Sequence, residues 1–371
     1  MKKNNIISLE GRVDDGGHMK VLKIDNIEEI IKYNSNLKYN SKNMISELKK
    51  MDALVQKKIV TERNDHPLYG ENIIFKYSKK VFYDHLWSLT EKENHFLELA
   101  RGLVLDKEAV ISYPFEKIFN YEKIDNGKEI EIKLNKGTYQ FIEKLNGFLV
   151  ISPNPFDANK LIAHTQGSLA TEENHMYNRY IIELLSEKQK NNLLNYFKNH
   201  KFTLMFEVIH KEDPHIVSYK ENEYGLKLIA RNIEGNDYKN MNLLSEEELD
   251  VMGKEIFDRP KHFIDSIENI LSSCDKIQNF EGYMVRDINT KHLVKIKTAF
   301  YLITKFLSRM NENYKFLFID KDKFIESKIE EEFFPIVDYI HSNKNKFEFA
   351  TKEEKLKLIQ DFISSEFSTY N

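Results

Sequence analysis

The run Glu143-Lys144-Leu145-Asn146-Gly147-Phe148-Leu149-Val150 holds the lysine around which the rest of the chain is read. An amine followed by an Asn-Gly turn and an apolar run places a cation at the head of a tight bend, where glycine lets backbone crowd a phosphate. Residues 138 to 152 therefore read as strand, turn and strand. Lys-x-Asn-Gly alone is an ordinary turn. Its weight comes from three segments downstream: Phe206-Glu207-Val208, Glu281-Gly282-Tyr283-Met284-Val285 and Val294-Lys295-Ile296-Lys297.

At 371 residues the chain can bury a large core and is expected to hold one main domain and a smaller one. Charged residues make up 31% and hydrophobic residues 41%, the balance of a globular protein that works in water. No apolar stretch approaches the roughly 20 residues of a membrane helix, so no membrane partner is expected. No secretory signal pattern is visible. The single cysteine, Cys274, excludes an internal disulfide and a cysteine-based zinc site, and a cytoplasmic location fits. The net charge of −4 argues against nonspecific coating of a polyanion, while leaving room for a local basic groove. Residues 1–18, ending in Gly16-Gly17-His18, differ in character from the rest of the chain and read as a disordered leader, with Met19 as a start.

Val21 to Ile24 reads as a short strand, and Asn26 with Glu29 has the form of a capping box opening a helix. Residues 173 to 200 read as helix, with Tyr180, Leu184 and Leu185 on one face. Phe202 to Ile209 alternates as a strand. Ser245 to Leu271 reads as helix in two pieces split at Pro260, and Ser245 with Glu248 forms a capping box at its start. Glu281 to Ile296 reads as a hairpin around Asp287. After about residue 305 the signals are helical. The fold class is thus α+β: antiparallel sheets flanked by helices over 19–305, then a small all-helical C-terminal domain over 306–371.

Several side chains stand out by placement. Lys295 and Lys297 leave one face of an alternating strand while Val294 and Ile296 enter the core, so two amines share one face. Phe202, Leu204, Phe206 and Val208 share a face, which puts Glu207 on the opposite one with Met205 and Thr203. A carboxylate in so apolar a strand needs a partner, such as a lysine, a hydroxyl or a hydrated metal. Glu281 precedes a glycine at a strand start, where it can hold a lysine or a metal-bound water. His210 and His215 flank a short stretch without metal-ligand spacing and read as loop residues. No phosphate-binding loop and no Gly-x-Gly-x-x-Gly is present, so a kinase or dinucleotide-binding protein lacks its core feature.

The order and separation of these segments resemble the covalent nucleotidyltransferases, the superfamily of polynucleotide ligases and RNA capping enzymes. The likeness sharpens toward the bacteriophage RNA ligase 1 family. Arg101-Gly102-Leu103 and Glu116-Lys117-Ile118-Phe119-Asn120 resemble its upstream elements. Thr165-Gln166-Gly167-Ser168, Leu226 to Arg231, and Lys295 through Tyr301 resemble its downstream ones. The resemblance runs from about residue 95 to 305 and implies an ATP-grasp-like ligase domain. It implies that Lys144 attacks the α-phosphate of ATP, expels pyrophosphate and carries AMP; Lys295 and Lys297 grip phosphates. Arg101, Lys117 and Phe119 line the nucleotide site, with Glu143, Gly147 and Gly282 beside it, and Glu207 and Glu281 hold ribose or the shell of a Mg²⁺ ion.

Such a lysine must lose its proton to attack, against an ordinary pKa of about 10.4. The implied activity is ATP-dependent joining of RNA 5′-phosphate and 3′-hydroxyl ends by a monomer, in the repair of an RNA such as tRNA. A separate protein would heal the ends, since no kinase or phosphatase module is visible. Two departures stand out: Asn146 occupies the place of the family's aspartate, a form also similar to that of the fungal tRNA ligases, and Gln166 stands where the phage enzymes carry lysine. DNA ligases and capping enzymes usually carry an oligonucleotide-binding barrel after the last motif, whereas the residues after Lys297 here read as helices. The alternatives are a DNA ligase or capping-type enzyme and a nucleic-acid-binding protein without ligase activity; the latter would want a broad basic, aromatic surface.

Overall fold

The computed structural model describes residues 7–9, 22–24, 60–63, 73–77, 100–105, 110–121, 134–153, 163–167, 184–198, 203–232, 245–274, 276–290, 292–308, 320 and 333–367. Strands β1 (Ile7–Leu9) and β2 (Leu22–Ile24) pair antiparallel, so the segment read as a leader contributes a strand. The helix expected after Asn26 lies outside the described residues. Strands β3 (Val60–Arg63), β4 (Ile73–Tyr77), β5 (Arg101–Leu105) and β6 (Val110–Ser112) form an antiparallel sheet in that order.

Two further sheets carry the segments singled out above. Strands β7 (Phe119–Asn120), β8 (Thr138–Lys144) and β9 (Phe148–Pro153) come first in the chain. Strands β10 (Thr203–Ile209) and β11 (Gly225–Asn232) join β9 in a three-stranded antiparallel sheet with β10 in the middle. Strands β12 (His262–Ser266), β13 (Gly282–Arg286) and β14 (Leu293–Lys297) join β8 and β7 in a five-stranded sheet ordered β12-β8-β13-β14-β7. Only the β14–β7 pair is parallel among these. The chain passes from one sheet to the other through Leu145-Asn146-Gly147, immediately after Lys144.

Helix α1 (Glu187–Lys198) lies within the stretch read as helix; Leu184 before it is also helical, Leu185 and Ser186 break the run, and residues 173–183 lie outside the described residues. Helix α2 (Glu246–Ile256) starts as expected: the Ser245 backbone N–H donates to Glu248 (2.6 Å) and the Glu248 N–H to the Ser245 hydroxyl (3.2 Å). The second helical piece is different. After Pro260 the chain first forms β12 and only then helix α3 (Ile267–Cys274). The five residues of β12 lack strict alternation, and Phe263 and Ile264 are exposed. Their strand state comes from pairing with β8, Phe263 opposite Phe141, which no local pattern reveals.

Helix α3 covers one face of the five-stranded sheet. Ile267, Ile270 and Cys274 pack on Tyr139, Phe141, Tyr283, Val285, Val294 and Ile296. Those strand residues alternate, so the opposite face carries Ile142, Lys144, Gly282, Met284, Lys295 and Lys297. The face that carries the lysines follows from the core face.

Helices α4 (Ala299–Ser308), α5 (Phe334–Ser342), α6 (Lys344–Glu348) and α7 (Lys352–Phe367) follow β14. Tyr301, Leu302, Phe306, Phe333, Ile336, Val337, Ile340, Phe347 and Ile359 share one core with Val217. Helix α4 crosses residue 305, so its residues belong to the same packed unit as the later helices.

Phe141 is fully buried, stacked on Phe263 (5.8 Å between centroids) and edge-on to Tyr283 (5.9 Å). Phe141→Ala is expected to lower unfolding free energy by about 3–5 kcal/mol, read by denaturant titration. A loss below about 1 kcal/mol would contradict this placement of the core.

Candidate active site

The register of the five-stranded sheet sets the geometry. Gly282 on β13 pairs with Lys144 on one side and Lys297 on the other. At about 4.8 Å between strands, the two lysine Cα atoms stand roughly 10 Å apart, with no side chain between them. Gly282 has φ +145°, and a Cβ there would collide with the Ile296 carbonyl. Glycine is therefore required by both backbone conformation and close approach.

The Lys144 ammonium is 2.7 Å from Oε1 of Glu281, which is 3% exposed. The Glu281 backbone is fixed independently. Its carbonyl accepts the Thr298 N–H (2.9 Å), and the Thr298 hydroxyl donates to the Phe280 carbonyl (2.6 Å) and accepts the Tyr301 N–H (3.1 Å), capping α4. Asn146, also buried, donates through Nδ2 to Oε2 of Glu281 (2.9 Å) and accepts the Val217 N–H at Oδ1 (3.0 Å). Its backbone N–H donates to the Tyr219 phenol oxygen (2.7 Å), whose burial pushes the phenol pKa up.

The next residue brings in the second sheet. The Gly147 N–H donates to Oε1 of Glu207 (2.8 Å), and a Cβ on Gly147 would strike the Val208 carbonyl. Glu207 leaves β10 beside Leu149 and Lys227 in the register, with Thr203 and Met205 on the same face as expected. Burial pushes its carboxyl up to about 7; Lys144 and the Gly147 N–H pull it down, and Glu281 pushes it further up.

Lys297 is buried, with its ammonium 5.3 Å from the centre of the Tyr301 ring. Lys295 lies two residues before Lys297 on the same face of β14, between Met284 of β13 and Asn120 of β7. Phe119 is buried in β7, and the buried Lys117 ammonium sits 5.7 Å from both the Phe119 and Tyr77 rings. Arg101, half-buried, begins β5 opposite Lys76. Strand pairing thus brings Lys144, Gly147, Glu207, Glu281, Gly282 and Lys297 together, with Lys295 and the Lys117–Phe119 segment along the next row.

Glu143 is elsewhere. On β8 it shares the face of Phe141, opposite to Lys144, and its carboxyl, raised by burial, lies 3.9 Å from the exposed Lys261. His210 and His215 lie in a loop, as expected. Sequence reasoning gave no role to Val217, Tyr219 or Tyr301, which close the site from the loop after β10 and from α4. Loop residues and a helix face carry no local signal for such contacts.

Among the described residues no cluster of three or more His, Cys, Asp or Glu could hold a metal by itself, and no helix is long and apolar enough to cross a membrane. A hydrated Mg²⁺ needs only one or two carboxylates. Glu207 fits that demand: its burial disfavours the charged form, a cost that a cation would relieve.

A lysine at the junction of two sheets, facing a second lysine across a glycine, with the buried Glu281 and the half-buried Glu207 carboxylates beside it, is the frame of a nucleotidyltransferase ligase. The chain belongs to the RNA ligase family, whose T4 RNA ligase 1 model matches residues 99–314. Curated protein sequences gave no match. Among solved structures, archaeal ATP-dependent RNA ligase form 1 is similar, at 16% identity and TM-score 0.49, over 86% of this chain and 76% of that one. Form 2 is similar at 15% identity and TM-score 0.44, over 72% of this chain and 66% of its own, so the chain spans about two thirds of that protein. A mutant Naegleria gruberi RNA ligase with ATP and Mn matches at 14% identity and TM-score 0.35, over 45% of this chain and 51% of that one.

The raised Glu207 carboxyl makes a signed prediction. The folded state holds this proton up to about pH 7, whereas an unfolded glutamate releases it near ~4.3. Between those values the folded state binds more protons, so stability falls as pH rises. Metal-free protein in chelator should lose stability from about pH 5 to 7, and Glu207→Gln should flatten that slope in thermal or denaturant melts. An unchanged slope would show that Glu207 is ionised throughout.

Proposed function

We propose that this protein is an ATP-dependent RNA ligase that joins 5′-phosphate and 3′-hydroxyl RNA ends through AMP carried on Lys144. The observation that carries this reading is the pairing row Lys144–Gly282–Lys297, with the Lys144 amine held by buried Glu281, in a chain of the RNA ligase family.

Nζ of Lys144 attacks the α-phosphorus of ATP; the bond to the bridging oxygen of the β-phosphate breaks, and pyrophosphate leaves with that electron pair. The amine must give up a proton, and the Glu281 carboxylate lies within hydrogen-bond reach. Lys297 and Lys295 stabilise the charge that gathers on the phosphate oxygens. Gly282 and Gly147 let neighbouring strands close up beside the reacting amine, and Arg101, Lys117 and Phe119 line the remainder of the nucleotide site. An oxygen of an RNA 5′-phosphate then attacks the lysine-bound phosphorus and frees Lys144. Finally the 3′-hydroxyl attacks the activated 5′-phosphorus and AMP departs. Glu207 and Glu281 would hold Mg²⁺ through its water shell, and the ion would supply positive charge at the α-phosphate.

The finer assignments belong to the same reading. The chain works as a monomer in the cytoplasm on a broken RNA such as tRNA, with a separate enzyme preparing the ends. The domain bounds of this reading are an adenylyltransferase unit over 19–305 and a small helical unit over 306–371, with α4 crossing between them. The helical core reaching back to Val217 supports a helical unit seated against the site.

The test is joining of a 5′-phosphorylated RNA with ATP and Mg²⁺, alongside matched DNA, GTP in place of ATP, and Lys144→Ala. Joined RNA is expected with wild type, and a loss of at least about 10³-fold with Lys144→Ala. Joining of DNA alone would point to a DNA ligase, covalent labelling by GTP alone to a capping-type enzyme, and no reaction with RNA binding retained to a binding protein.

A further inference from the structure

We infer that Asn146 is a positioning residue whose side-chain amide, as a hydrogen-bond donor, holds Glu281 on Lys144. The inference rests on the ligase reading and deepens it. Glu281 has two oxygens and two partners: Oε1 faces the Lys144 ammonium at 2.7 Å, and Oε2 accepts from Asn146 Nδ2 at 2.9 Å. Both carboxamide and carboxylate are buried, at 5% and 3% exposure. With the Glu281 backbone already pinned to Thr298, the Asn146 amide fixes the side chain's remaining rotation. The lysine then meets the carboxylate in one orientation.

The contact has a polarity. Asn146 Oδ1 accepts the Val217 N–H (3.0 Å), so Nδ2 must be the atom turned toward Glu281, with the Tyr301 hydroxyl at 3.5 Å. The backbone N–H is committed to Tyr219 (2.7 Å). Asn146 therefore joins the turn after the nucleophile to three places: the start of β13, the loop after β10, and the first turn of α4. An aspartate has the same shape and would keep the Val217 contact. It would place an acceptor against an acceptor at Glu281, in a pocket that already holds Glu207. A carboxylate there is the wrong group, although the family's own pattern carries one. The amide is this chain's particular way of holding its glutamate.

The test compares two reactions of the full-length protein. Lysine adenylylation by α-labelled ATP needs the Lys144–Glu281 geometry, whereas sealing of RNA supplied already adenylylated requires no attack by Lys144. Asn146→Asp is expected to slow adenylylation at least about tenfold, the range of a lost charge-assisted hydrogen bond. Sealing of pre-adenylylated RNA should change less than about threefold. In the Glu281→Gln background, the introduced carboxamide can donate to the introduced aspartate while its oxygen stays with Lys144. Asn146→Asp should therefore cost clearly less there than in wild type.

Asn146→Ala, which removes the amide without adding charge, is the second variant if the aspartate fails to fold, and should show the same split. Equal losses in both reactions, wild-type adenylylation in Asn146→Asp, or the same loss in the Glu281→Gln background would overturn the inference. Absence of label on wild type would overturn the ligase reading itself, which is a distinguishable result.

Discussion

The structure depends on one half-buried ion pair, Lys144 with the buried Glu281, placed where two sheets meet. Taking an ammonium and a carboxylate out of water is costly unless geometry and extra hydrogen bonds compensate. The surroundings meet that condition group by group. Asn146 occupies the second oxygen of Glu281, Gly147 donates to neighbouring Glu207, and Thr298 fixes the strand from which Glu281 projects. Glu207 remains incompletely compensated, and its raised carboxyl pKa is the physical sign of that.

The glycines follow from the same constraint. Gly282 and Gly147 lie where the backbone of a neighbouring strand passes too close for any Cβ. At both points the neighbouring strand's carbonyl occupies the volume a Cβ would need, which lets the strands close up beside the amine and the carboxylates. The helical region is tied in as well, since Val217 and Tyr301 belong to the helical core and also touch Asn146. Packing and chemistry are linked there: a shift of α4 would be felt at Asn146 and Glu281.

Much of this was legible in the sequence because strands alternate. Val294 and Ile296 pointing inward fixed Lys295 and Lys297 outward, and the strand carrying Glu207 declared its face in the same way. The Ser245–Glu248 capping box placed the start of α2. What stayed hidden depended on distant partners. Strand β12 exists because β8 offers it an edge, so the residues after Pro260 looked helical. Glu143 adjoins Lys144 in sequence yet leaves the opposite face of β8, the outcome the two-residue period of a strand imposes. Asn146 was visible as a departure from the family's aspartate, but its role required knowing that Val217 and Glu281 converge on one amide.

The most direct test of the central claim is to locate the covalent AMP. Incubation of the full chain with ATP and Mg²⁺, proteolysis under conditions that preserve the phosphoramidate, and mass spectrometry of the peptides would identify the modified residue. AMP on the peptide containing Lys144, and on that lysine within it, is the predicted result. AMP on another lysine, Lys117 or Lys297 for example, or no adduct at all, would contradict the assignment of Lys144 as the nucleophile.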